Sequence, residues 1–86
     1  MIILKNEADR QVFYQVYADD DHKIVVGKGS IYTNDTVQFD RRYLKIIYFV
    51  ERGPDYGKGN FATLKSGYKY RIVFTHSKNK LILLSN

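Results

Sequence analysis

The chain has 86 residues, with 14 Lys and Arg against 9 Asp and Glu for a net charge of +5, 44% hydrophobic residues and no cysteine. A chain this short buries roughly 60–65% of the surface it exposes when unfolded, enough for one core, so residues 1–86 read as one domain and a two-domain enzyme is excluded. The lack of cysteine excludes disulfides, thiolate zinc sites, iron–sulfur clusters and cysteine nucleophiles.

The chain opens with Met-Ile-Ile-Leu before Lys5, short of the about 7–15 apolar residues of a secretory signal, so no signal peptide is predicted and a soluble, cytoplasmic protein is favoured. Residues 2–5 are the first strand candidate, followed by turn residues at 6–9. Residues 11–17 alternate with Val12, Tyr14 and Val16 on one side and Phe13, Gln15 and Tyr17 on the other, which leaves the buried side ambiguous. After the turn Asp19-Asp20-Asp21-His22 come strand candidates at 23–26 and 30–33, readable as one strand bent at a glycine bulge in Gly27-Lys28-Gly29. Asn34-Asp35 marks a turn, 36–39 a short strand and 40–42 a helical turn at most.

Residues 43–51 place Leu44, Ile46, Tyr48 and Val50 against Tyr43, Lys45, Ile47 and Phe49, and large apolar groups on both sides predict a central strand. The run 44–50 is interrupted by Lys45 and falls far short of the roughly 20 residues of a membrane-spanning helix. The loop 52–60 follows, then a strand at 61–65 and a turn at Ser66-Gly67. Residues 68–75 put Tyr68, Tyr70, Ile72 and Phe74 inward and Lys69, Arg71, Val73 and Thr75 outward. A turn at 77–79 precedes the last strand candidate, 80–84.

Seven or eight short strands joined by tight turns predict an all-β domain, a small antiparallel sandwich that looks like immunoglobulin-like domains at the level of architecture. Short turns leave no room for the helical crossovers of a parallel sheet. The alternative is a small five-stranded barrel, although the aromatic-rich motif of cold-shock domains is absent. Segments 1–5 and 80–84 are the predicted edges, where free backbone would pair with a partner strand or a second copy.

Charge divides along the chain: residues 1–40 hold four bases and seven acids, a net −3, whereas residues 41–86 hold ten bases and two acids, a net +8. The basic half predicts an anionic partner, an acidic protein first and nucleic acid second, though interleaved strands would mix the two halves. The loop 52–60 contributes Arg52, Tyr56 and Lys58 between glycines, but its spacing departs from a nucleotide-binding P-loop and no helix follows. With Lys69 and Arg71 these three residues are the predicted binding set.

The acidic turn 19–22 lacks the staggered ligands and glycine of a calcium loop, and turn chemistry explains it more simply, so no metal or cofactor is predicted. Two histidines, His22 and His76, without a motif around either, leave no catalytic residue to name. Of the eight tyrosines, Tyr14, Tyr48, Tyr68 and Tyr70 read as structural, and Tyr17, Tyr32, Tyr43 and Tyr56 as free for contact. The function predicted is a non-enzymatic interaction module with a basic, tyrosine-bearing surface. The runner-up is a nucleic-acid-binding barrel using Tyr43, Lys45, Lys69 and Arg71 on adjacent strands, and a membrane-surface or toxin-like protein is a distant third.

Overall fold

A computed structural model describes residues 1–18, 23–50 and 59–85, and every regular element among them is a strand. In chain order these are β1 (Ile2–Asn6), β2 (Val12–Tyr17), β3 (Val25–Ile31), β4 (Thr36–Phe39), β5 (Tyr43–Phe49), β6 (Asn60–Lys65), β7 (Lys69–Thr75) and β8 (Lys80–Ser85). They form two four-stranded sheets, ordered β4-β1-β7-β8 and β3-β2-β5-β6, which is the small β-sandwich the alternation predicts and not the five-stranded barrel. The likeness to immunoglobulin domains is one of architecture; the strand order is as stated.

Neighbouring strands are antiparallel except β1 and β7, which run parallel with Leu4 opposite Tyr70. Short turns exclude a parallel pairing only between consecutive strands. Here β2 to β6 lie between the two in sequence, and passage through the other sheet replaces a helical crossover. That pairing also makes β1 internal, so segment 1–5 is no edge, while 80–84 is one as predicted. The remaining edges are β3, β4 and β6.

The core follows from alternation. Ile2, Leu4, Val12, Val16, Ile31, Leu44, Ile46, Leu64 and Ile72 are almost fully buried between the sheets. Tyr70 lies among them and crosses the core, its hydroxyl accepting a 2.8 Å hydrogen bond from the Lys65 N–H of the opposite sheet. Residues 23–33 contain one strand, as the bent reading allowed, with the register shift opposite Val16 and Tyr17. Gly29 stands across from Tyr14, and a Cβ there would come 2.9 Å from the Tyr14 hydroxyl; the glycine leaves room for a ring that packs edge-on against Phe39.

Tyr48 is 5% exposed, and burial pushes its phenol up from the ordinary value. Below about pH 10 the phenol is neutral in folded and unfolded chains alike. Above that the unfolded chain releases the proton first, so stability falls as pH rises. Denaturant midpoints between pH 9 and 11, taken as approximate bounds around the phenol's ordinary range, should therefore drop more steeply for the wild type than for Tyr48→Phe. Parallel curves would show that Tyr48 does not govern the alkaline loss.

Among the described residues Asn6 is the one polar residue that is fully buried. Its amide nitrogen donates to the carbonyls of Arg10 and Ile31, each at 2.8 Å, and its Oδ1 accepts from the Ala8 N–H at 2.9 Å. Its backbone N–H donates to the Asp35 carbonyl and its carbonyl accepts from the Asn34 N–H. One side chain thus ties the end of β1 to the 7–10 turn and to the end of β3.

Other expectations need correction at strand ends. Tyr68 precedes β7 and is 47% exposed, because Gly67, at φ 90°, ends the previous turn before the alternation begins. Tyr17, read as free, is covered and donates to Gln15 Oε1 at 2.8 Å. Residues 41 and 42 form a bend and not a helical turn. The turns at Asn34 and Asn79 do carry the left-handed backbone that asparagine tolerates, at φ 71° and 52°.

Candidate binding face

The strands contain seven basic residues, Lys5, Lys28, Lys45, Lys65, Lys69, Arg71 and Lys80, and no Asp or Glu. The acids among the described residues, Glu7, Asp9, Asp35 and Asp40, all lie in connections. Pairing mixes the −3 and +8 halves, since β1 of the acid-rich half sits beside β7 and β2 beside β5. What survives folding is a different segregation: cations on the outward faces of both sheets, carboxylates at the rims.

The predicted pair Lys69 and Arg71 points outward from β7, as alternation requires, beside Lys5 and with Lys80 farther along. This face is not purely cationic. Glu7 Oε1 lies 3.0 Å from Arg71 and its Oε2 3.8 Å from Lys5, and Arg71 Nε is shielded from solvent without a hydrogen-bond partner. Arg71 is thereby held in place by a neighbour, while Lys69, at the start of β7, is exposed.

The outward face of β3-β2-β5-β6 has a different character. Register sets Phe13 against Phe49, Gln15 against Lys28 and Ile47, Ile47 against Phe61, Lys45 against Thr63 and Tyr43 against Lys65. Phe13 and Phe49 stack with ring centroids 6.1 Å apart, and Phe61 is 61% and Tyr43 39% exposed. Lys45 Nζ donates to Thr63 Oγ1 at 2.7 Å and lies 5.8 Å from the centre of the Tyr43 ring. Gly59 packs so closely on Ile47 that a Cβ there would overlap the isoleucine side chain. An open depression of about 410 Å³ runs over Phe13, Gln15, Lys28, Ser30 and Phe49. Apolar rings therefore form a diagonal band across this sheet, with Lys28, Lys45 and Lys65 along one border of it and no strand carboxylate.

Arg52, Tyr56 and Lys58 lie outside the described residues, as does the acidic turn 19–22. Tyr43 and Lys45 face away from one sheet and Lys69 and Arg71 away from the other, so the four do not share the single surface that the barrel reading required. His76 Nε2 sits 3.3 Å from Asp9 Oδ2, but both side chains are more than half exposed and water reaches the pair freely. The Arg10 guanidinium, hydrogen-bonded to Asp9, holds that carboxyl below its ordinary value, with His76 adding to the effect. Among the described residues no group of three or more His, Cys, Asp or Glu side chains is placed to hold a metal ion. No helix among them is long and apolar enough to cross a membrane.

Sequence reasoning missed Phe13, Lys28, Ile47, Phe49, Phe61 and Lys65 as parts of one surface. The signal was available in segments 11–17 and 43–51, each apolar on both sides. A two-layer sandwich has only one interior, so the second apolar side of each central strand is left facing outward. Comparison with known protein families finds none that matches the chain, and comparison with characterised proteins finds no relative.

Proposed function

We propose that the protein is a non-enzymatic interaction module that takes an anionic partner on the outward face of β3-β2-β5-β6. The observation behind this reading is that Lys28, Lys45 and Lys65 flank exposed aromatic rings on a face whose strands carry no acid. Lys28 and Lys65 form no ion pair among the described residues, and cations so placed keep their field, which draws an anion in over about one Debye length at physiological salt, roughly 8 Å. The rings then supply contact area at small entropic cost. On the other outward face Glu7 pairs with Arg71 and Lys5, two of the four strand cations there, and so ties their charge up in ion pairs. Gly59 and Asn60, the described end of the 52–60 loop, border the proposed face.

The test compares two double variants of the same formal charge, Lys28→Gln with Lys65→Gln and Lys69→Gln with Lys80→Gln, for retention on a sulfated polysaccharide column. The first pair should elute at distinctly lower salt than the second. Equal elution would show that net charge alone, and not this face, governs anion binding.

A further inference from the structure

Resting on that reading, we infer that the anionic partner is single-stranded nucleic acid, laid diagonally across the sheet with bases against Phe13, Phe49 and Phe61 and phosphates against Lys28, Lys45 and Lys65. Four features of the face select this chemistry over other polyanions.

The first is the placement of the rings. Phe13 and Phe49 are cross-strand partners, and Phe61 lies one strand over and two residues along from Phe49, because it pairs with Ile47. Diagonal neighbours in a sheet stand about 7–8 Å apart, a span that aromatic side chains bridge, so an extended strand of nucleotides meets successive ring faces. The second is the placement of charge. Lys28 on β3 is level with Gln15, Ile47 and Phe61, and Lys45 and Lys65 lie farther from the Phe13–Phe49 row on β5 and β6, so the three cations follow one border of the track of bases, where a single strand would carry its phosphates.

The third feature is what the face lacks. Phe13 and Phe49 stand on β2 and β5, which are both internal, so the centre of the face has no free backbone for an added peptide strand. An acidic peptide would therefore find point charges but none of the main-chain pairing that holds extended peptides on a sheet. A second copy of the chain would bring its own lysines against these. The fourth is shape: the depression over Phe13 and Phe49 is shallow and open, suited to a flat unpaired base and not to the edge of a duplex. The width of four strands, at about 4.8 Å each, accommodates a site of about four nucleotides, the low end for a small β fold.

The experiment measures fluorescence anisotropy with three labelled probes: an oligothymidine of about ten nucleotides, long enough to cover the site, a duplex of the same length, and an oligoglutamate peptide. The oligothymidine should bind most tightly, with log affinity falling against log salt by about 0.7 for each phosphate contact. Phe61→Ala should weaken it about ten-fold or more, in line with the loss of one stacked base, and leave the salt slope unchanged. Lys28→Gln with Lys65→Gln should reduce the slope by about 1.4, and Lys69→Gln with Lys80→Gln should leave it alone. Denaturant midpoints of each variant confirm that the fold is retained.

Equal binding of duplex and single strand, or indifference to Phe61→Ala, would overturn the inference and leave general charge attraction. Binding of oligoglutamate in preference to oligothymidine, still sensitive to Lys28 and Lys65, would overturn the nucleic-acid assignment while upholding the anion-binding face. Failure of all three probes to bind would overturn both.

Discussion

Replacing Asn6 by Ala is expected to lower the free energy of unfolding by about 2–4 kcal/mol, a large share of the roughly 5–15 kcal/mol that holds a domain together. The substitution removes one side chain but strands three backbone groups: the carbonyls of Arg10 and Ile31 and the N–H of Ala8, all bonded to the Asn6 amide. Each buried group left without a partner costs about 1–3 kcal/mol, and water entering the shortened site recovers part of that. Asn6→Asp should be at least as harmful, since a carboxylate oxygen replaces the donating nitrogen and faces two carbonyl oxygens. Urea or guanidinium unfolding measures both losses, and amide exchange at Ala8 should accelerate in each variant. A loss under about 0.5 kcal/mol in Asn6→Ala, the range of an ordinary surface substitution, would show that the network is dispensable.

Asn6 also shows where sequence reading stops. In the sequence it begins a run of turn residues, Asn-Glu-Ala-Asp, and turn chemistry accounts for it without burial. Its role depends on the Ile31 carbonyl, 25 residues away, a proximity that no local pattern encodes. Strand positions are legible because alternation is local: the inward residues of β7 from Tyr70 to Phe74 follow from period two alone, whereas in β5 period two groups Leu44, Ile46 and Tyr48 without deciding which side is inward. Sheet membership is not. The pairing of β1 with β7 joins residues more than sixty positions apart, and that pairing makes β1 internal and puts Lys5 beside Arg71.

The candidate face was half legible. A basic, aromatic surface was read from composition, and Lys69 and Arg71 were correctly set outward. Their distance from Tyr43 and Lys45 was not readable, because which sheet a strand joins decides on which side of the sandwich its outward residues stand. The carboxylate that quiets Arg71 belongs to the turn after β1 and reaches β7 only through the parallel pairing. Phe13 belongs to a segment whose buried side the sequence leaves ambiguous and Phe49 to one apolar on both sides, and only the two-layer limit of a short chain argues that both face outward.

That limit gives the second large effect, a contrast between two adjacent isoleucines. Ile46 is fully buried opposite Val16 and Ala62, and Ile46→Ala should cost about 2–4 kcal/mol, the transfer of the lost methyl groups plus the cavity they leave. Ile47 points the other way, partly exposed between Gln15 and Phe61, and Ile47→Ala should cost about 1 kcal/mol or less. Stability measured by denaturant would give equal losses if both sides of β5 were covered, as its sequence alone implies. Binding should reverse the order. Ile47 packs against Gly59 and lies beside Phe61, so its loss opens the middle of the ring band. Ile47→Ala should weaken capture of an oligothymidine, whereas Ile46→Ala, kept below its unfolding midpoint, should bind as the wild type does. A central strand can then be apolar on both sides for two separate reasons, one side holding the sheets together and the other meeting a ligand, and the two substitutions distinguish them.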